Sequence, residues 1–132
     1  MDAIARRLFL LLICSQALHS IEEYAFALWD VLAPARFLSE LVSDDQAVGF
    51  AVVNAVIVVL GAWSYFWPVR RNLGYAVPIA WFWTILEGAN GIGHILFALA
   101  TQAYFPGVYT APLLLMFSGL LATRLMRRGH FA

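Results

Sequence analysis

Three ionisable residues, His19, Glu22 and Glu23, occupy the middle of an apolar segment that is long enough to cross a membrane. Spacings of three and four residues place side chains on one face of a helix. Each ionisable group at the bilayer centre costs roughly 2.5–3.5 kcal/mol, so such groups are expected to pair, face a cavity or bind a ligand. Imidazole nitrogens and carboxylate oxygens bind Zn²⁺ and Fe²⁺, and a glutamate can also act as a general base. The three residues therefore indicate a polar site with metal-binding or acid–base chemistry.

A second group of polar residues interrupts a later apolar segment. Glu87, Asn90 and His94 have the same helical spacing, and three glycines lie among them. Small residues on such a surface let two helices approach closely or leave room for a ligand. Asn54 is an isolated polar residue in a third apolar segment. We therefore expect one site built from several helices.

The composition is typical of a membrane protein. Of the 132 residues, 63% are hydrophobic and 12% are charged, whereas soluble domains have about 45–50% apolar and about 25% charged residues. The formal net charge is zero, which argues against the basic surface that binds nucleic acid. Cys14 is the only cysteine, so neither an internal disulfide nor a thiolate metal cluster can form.

Four segments are long and apolar enough to cross a hydrocarbon core of about 30 Å, which requires about 20 residues per helix. They lie at approximately residues 8–29, 47–67, 76–103 and 111–126. The sequence thus predicts an all-α, four-helix transmembrane bundle that forms a single integral membrane domain over residues 1–132. Arginines flank both ends of the chain and the link between the second and third spans. This distribution predicts that both termini are cytoplasmic in a multi-pass protein of the cell membrane.

The N-terminal segment also has features of a signal peptide. Arg6 and Arg7 precede an apolar run, and Ser15 to Ala17 form a small-residue cleavage pattern. Cleavage there would leave three spans. The apolar run continues to Trp29, and we therefore favour an uncleaved first span.

The depths of the polar residues agree with one another. At 1.5 Å per residue, His19 and Glu23 lie roughly 16–22 Å above the inner membrane edge, and Glu87 to His94 lie roughly 16–27 Å above it. Asn54, on a helix of opposite direction, lies about 10 Å below the outer edge. The three helices are therefore expected to bring their polar groups to one level in the outer half of the bilayer.

This arrangement predicts a centre for a divalent metal, Zn²⁺ or Fe²⁺, in a membrane enzyme of the hydrolase type. The expected ligands are His19, Glu23, Glu87 and His94. Adjacent residues lie about 100° apart around a helix, so one of Glu22 and Glu23 is expected to ligate and the other to act as general base.

Other polar and aromatic residues are expected to support this site. Asn54 and Asn90 would position metal ligands or hold a substrate oxygen. Tyr109 and Thr110 belong to the link between the third and fourth spans, where they form either an interfacial turn or a lid over the site. The expected partner is a membrane lipid or a hydrophobic small molecule. Glycine-rich helix faces are also compatible with homo-oligomers.

Two other functions are consistent with the same residues. The polar groups could form the receptor of a non-enzymatic module that binds a lipid or a cation. Chains of Asp, Glu and His also relay protons in transporters. The inner halves of the spans contain few polar residues, namely Gln16, Ser64, Ser118 and Thr123. A continuous proton path is therefore not visible, and a site open outward or sideways into lipid is favoured.

Three short motifs give the chain a family resemblance. They are His-x-x-Glu-Glu at residues 19–23, Asn-x-x-x-His at residues 90–94, and Tyr-x-Pro-Gly followed by Thr at residues 104–110. With these motifs in a four-span frame, the chain resembles the HXXEE-domain family of small prokaryotic integral membrane proteins. The resemblance covers nearly the whole chain and implies a membrane protein of unassigned activity. Likeness to intramembrane metalloproteases, which also have paired glutamates and separate histidines, is an analogy of fold.

Overall fold

The computed structural model describes residues 1–129 and contains α-helices and no strand within them, which confirms the all-α prediction. The helices are α1 (Ala3–Ala25), α2 (Leu28–Val31), α3 (Ala33–Glu40), α4 (Gln46–Ser64), α5 (Ala76–Thr101) and α6 (Ala111–Gly129). A π-helical turn, Tyr65–Val69, extends α4. In this turn the Arg70 N–H donates to the Tyr65 carbonyl at 2.8 Å, while Pro68 contributes no donor.

Two helical segments, Ala3–Ala25 and Gln46–Val69, are long and apolar enough to cross a membrane by length and composition. Four such segments were expected, so that expectation is met only in part. In α5 the polar residues Glu87, Asn90 and His94 lower the apolar character of the helix. In α6 the last turns contain Arg124 and Arg127. Two of the four predicted spans are therefore long and apolar enough to cross a membrane.

The first predicted span does not continue to Trp29 as one helix. α1 ends at Ala25, and Ala27 has a φ of 51°, in the left-handed region that commonly terminates helices. The chain then changes direction, and Leu28 packs with Ala35, Phe50 and Phe105. No glycine marks this break in the sequence, so the apolar run alone suggested a longer helix.

Helix packing leaves the polar residues between two apolar clusters. α6 packs against α1 and α5, α4 packs against α1, and α3 covers one end of α4. One cluster includes Phe9, Leu12, Trp83, Leu114 and Leu121, and the other consists of Leu28, Ala35, Phe50 and Phe105. Along α1 and α5, residues 19–23 and 87–94 fall between these clusters. The two clusters therefore fix the helices above and below the polar level.

Candidate metal centre

Three side chains from two helices meet at one buried point. Glu23 Oε1 lies 3.3 Å from His19 Nε2 and 3.1 Å from His94 Nε2. The exposed fractions of His19, Glu23 and His94 are 0%, 6% and 4%. Their possible ligand atoms all lie within 4.8 Å of one another. Within residues 1–129, these three residues form the one group of three or more His, Cys, Asp or Glu side chains that could hold a metal ion. The structure thus brings together three of the four predicted ligands.

The tautomer of His94 follows from its other ring nitrogen. His94 Nδ1 lies 2.6 Å from the carbonyl oxygen of Pro106. A carbonyl oxygen only accepts hydrogen bonds, so the proton is on Nδ1. In the neutral ring, Nε2 then carries a lone pair directed at Glu23.

The tautomer of His19 follows in the same way from its contact with the Thr110 hydroxyl, which in turn contacts Glu22. His19 Nδ1 lies 2.7 Å from Thr110 Oγ1, and that hydroxyl donates its single proton to Glu22 Oε2 at 2.6 Å. Thr110 Oγ1 must therefore accept from His19 Nδ1–H. The neutral ring again directs a lone pair from Nε2 toward Glu23. Consistent with this, His19 Nε2 is buried without a hydrogen-bond partner.

Where both rings are neutral, their two lone pairs and that of the carboxylate repel one another unless a cation lies between them. Metal-binding histidines commonly donate their second ring N–H to a carbonyl or to a carboxylate-linked group, as both do here. Tetrahedral ligands at 2.0–2.1 Å from Zn²⁺ are separated by about 3.3 Å. The observed separations of 3.1 and 3.3 Å match that geometry. The two histidines and the carboxylate are therefore a group that could hold a metal ion.

Glu22 faces the loop between α5 and α6 rather than the histidines. Its Oε1 accepts from the Tyr104 hydroxyl at 2.8 Å and from the Tyr109 N–H at 3.1 Å. Its Oε2 accepts from the N–H and the hydroxyl of Thr110, at 2.9 and 2.6 Å. A carboxylate has about four lone-pair sites, so these donors saturate Glu22. The adjacent glutamates therefore have different surroundings, with Glu23 at the histidines and Glu22 holding the loop.

Tyr104 remains a donor to Glu22 over the ordinary pH range. Burial, the hydrogen bond to Glu22 and the charge of that carboxylate all raise the pKa of the Tyr104 hydroxyl. The phenol proton is thus retained, and the loop stays tied to α1 at this point.

The Pro-Gly pair of the same loop lies directly over the imidazoles. Gly107 is buried, has a φ of 94°, and an added Cβ would approach His94 Nδ1 to 2.6 Å and His19 Cε1 to 2.7 Å. The two rings are in edge-to-face contact with their centroids 4.5 Å apart. Glycine therefore allows the loop backbone to close over both rings.

The remaining predicted residues line an adjacent cavity of about 370 Å³. Glu23, Asn54, Glu87 and Asn90 contribute to its wall, together with Gln16. Glu87 is outside the three-residue metal group. It lies two helical turns, about 10.5 Å, from His94 on the same helix, which separates the two side chains along the axis. Glu87 Oε2 is buried without a hydrogen-bond partner.

The predicted lid residues belong to the loop that binds Glu22. Thr110 contacts both Glu22 and His19, whereas the Tyr109 side chain is 74% exposed and only its backbone N–H reaches Glu22. The direct contacts of Tyr104, Pro106 and Gly107 with the site were not anticipated. Their order in the third sequence motif was the available signal.

Comparison with known proteins gives a family match over most of the chain. The sequence model of a family described as "Protein of unknown function with HXXEE motif" matches residues 10–122. No curated protein and no solved structure matches the chain.

Proposed function

Because the chain belongs to the HXXEE family, whose function is unknown, we propose a function from its site. The protein is a multi-pass membrane protein with a divalent-metal centre, and it hydrolyses a lipidic or membrane-embedded substrate. The observation that carries this proposal is the convergence of two histidine Nε2 lone pairs on Glu23 Oε1, while both Nδ1 atoms are engaged elsewhere. Zn²⁺ and Fe²⁺ are the ions that suit such donors.

The proposed membrane arrangement has four spans, α1, α4, α5 and α6, with both termini in the cytoplasm. It is supported by exposed apolar side chains on α4 and α5, among them Val52, Val56, Val59, Phe82, Ile85, Ile92, Leu96 and Leu99. The only ionisable residues of these two helices are the buried Glu87 and His94. Faces of this kind match a hydrocarbon solvent better than water. The arginine distribution supports the orientation.

The residues of the site receive distinct roles in this proposal. A bound metal would polarise a carbonyl and lower the pKa of water toward neutrality. Glu87, whose Oε2 is unpaired beside the cavity, serves as general base. Asn54 and Asn90 position the substrate. Glu22, saturated by four donors, is a positioning residue that acts through Thr110.

Hydrolysis needs only water as co-reactant. The water oxygen bonds to the acyl carbon, and the bond from that carbon to its oxygen or nitrogen leaving group breaks. Glu87 takes the water proton and returns it to the leaving group. Because Glu23 lines the cavity, a substrate bound there would lie beside a metal held by Glu23 and the two histidines.

Replacing Thr110 by valine should weaken metal binding by about 10- to 100-fold, the usual effect of losing an outer hydrogen-bond partner of a metal-bound histidine. Valine keeps the shape of threonine but removes the acceptor for His19 Nδ1–H and the donor to Glu22. Thr110→Ser restores the hydroxyl and should retain most of the affinity. Competition with a chelating dye measures both variants, and equal affinities of the valine and wild-type proteins would contradict this role of the Thr110 hydroxyl.

Incorporation of heavy oxygen from isotopically labelled water tests for hydrolysis of any substrate that a membrane extract contains. Metal-loaded protein is incubated with the extract, and the products are analysed by mass spectrometry. We expect label in lipid or peptide products with the wild-type protein and none with Glu87→Gln, which should still bind the metal. Label no higher than in a chelator-treated control would overturn the hydrolase proposal while leaving the metal centre intact.

A further inference from the structure

The cavity beside Glu23 has a polar end and a larger apolar end. The polar lining residues are Gln16, Glu23, Asn54, Glu87 and Asn90, while the rest of the wall consists of apolar residues that include Leu32, Leu38, Phe50, Val53, Ile57 and Leu86. Its volume of about 370 Å³ lies within the range of small-molecule sites, about 300–1,000 Å³. Such a shape fits an amphiphile whose polar group lies near the metal ligands.

An apolar groove between α4 and α5 lies next to this cavity along the helices. It is lined by Leu60, Trp63, Ser64, Pro78, Ile79, Phe82 and Trp83. On α4, Leu60 of the groove follows Ile57 of the cavity by three residues, and on α5, Leu86 of the cavity follows Trp83 of the groove by three residues. About one helical turn therefore separates the cavity from the groove on both walls.

The groove has a defined length. Helices α4 and α5 are not among the closely packed helix pairs of residues 1–129, which leaves the space between them. Where the groove approaches the cavity on α5, Trp83 Nε1 donates to Ser64 Oγ at 3.0 Å and bridges the two helices. From Asn90 to Ile79, the path along α5 spans about 17 Å. A single extended hydrocarbon chain fits this form better than a bulky head group.

Charge distinguishes the type of polar group that the cavity accepts. Two carboxylates and two asparagine amides line its polar end, with no arginine or lysine among the lining residues. A phosphate group carries negative charge, so the carboxylates of this wall repel it with no arginine or lysine to offset them. A neutral carbonyl group is not repelled in this way, and asparagine amides can donate to its oxygen. The wall thus favours an acyl ester or amide over a phosphodiester.

We infer that the cavity and the groove between α4 and α5 bind a single-chain acyl lipid, with its carbonyl beside Glu23 and its chain in the groove. This inference rests on the proposed metal centre and specifies the substrate class of the same site. The apolar outer surfaces of α4 and α5 allow such a lipid to enter sideways from the bilayer.

Two hydroxamates test the inference, since both bind metals through the same head group and differ only in chain length. Acetohydroxamate and a twelve-carbon hydroxamate (length chosen to match a groove of about 17 Å) are titrated into Co²⁺-loaded protein in nanodiscs. The visible spectrum of the cobalt reports binding. Ile79→Trp fills the groove with a larger side chain. Ile85→Trp makes the same change on the same helix, at an exposed position that lines neither the cavity nor the groove.

We expect Ile79→Trp to weaken the long-chain probe by about tenfold or more and to leave acetohydroxamate binding unchanged. Ile85→Trp should change neither, which also controls for partition of the long chain into the bilayer. Unchanged acetohydroxamate binding shows that the Ile79→Trp protein is folded. Equal loss or equal retention of both probes in Ile79→Trp would overturn the chain-binding groove while the metal centre stands. Failure of Co²⁺ to bind the wild-type protein would instead overturn the metal centre, and the inference with it.

Discussion

The purified wild-type protein should bind about one divalent metal ion per chain, and His94→Ala should lose it. His94 Nε2 is one of only three convergent donors, so its removal leaves two ligands. Outer partners of metal ligands contribute about 10–100-fold to affinity. Loss of a ligand itself should therefore weaken binding by more than about 100-fold. His19→Ala and Glu23→Gln are expected to act in the same way because each also removes one ligand.

Elemental analysis of protein saturated with Zn²⁺ or Fe²⁺ measures this loss. Glu87→Gln provides the control and should keep the metal, because Glu87 is outside the ligand group. Wild-type protein without stoichiometric metal would refute the centre. Equal metal content in wild-type and all three ligand variants would show that the metal binds elsewhere.

The polar spacing in the sequence anticipated the central group because helical periodicity depends only on residue positions. His19 and Glu23 are four residues apart, and their contact at 3.3 Å follows from adjacent turns of one helix. The contact of His94 with Glu23 requires a second helix that carries His94 at the same depth, and the hydropathy pattern predicted such a helix. The neighbouring glutamates were expected to differ in role because they lie about 100° apart around the helix. The sequence alone did not indicate which of them faces the histidines.

The loop contacts could not be predicted from residue types. The acceptor for His94 is the main-chain carbonyl of Pro106, and every residue has such a carbonyl. Two of the four donors to Glu22 are likewise main-chain N–H groups. Their positions depend on the path of residues 102–110, which tertiary packing determines. The motif Tyr-x-Pro-Gly indicated a turn, but not that this turn fixes the tautomers of two histidines.

Glu87 lies at the membrane level predicted for the metal ligands but is not one of the three grouped residues. That level spans about 11 Å along the membrane normal, whereas a metal ion needs its ligands within about 2 Å. Glu87 and His94 share the polar face of α5 but are two turns apart. The polar face of α5 therefore contributes to two neighbouring sites. His94 lies beside His19 and Glu23, whereas Glu87 lines the wall of the cavity.

Gly107→Ala should disrupt the metal centre although it removes no ligand. The added Cβ would lie 2.6 Å from His94 Nδ1 and 2.7 Å from His19 Cε1, closer than nonbonded atoms can approach. The φ of 94° also disfavours any residue with a Cβ, at a cost of about 1–2 kcal/mol. The loop must therefore move away, and the Nδ1 bonds to Pro106 and Thr110 must lengthen or break.

The expected result is a loss of metal affinity as large as that of Thr110→Val or larger, because both imidazoles lose their outer partners together. Gly93→Ala is the matched control, since its Cβ would meet nothing within 4 Å and it precedes His94 directly in α5. Alanine there should raise helix stability by up to about 1 kcal/mol and leave the metal bound. Dye competition and thermal unfolding, each with and without metal, separate the two effects. If Gly107→Ala binds the metal as tightly as Gly93→Ala, the loop does not hold the histidines, and the tautomers must be fixed in another way.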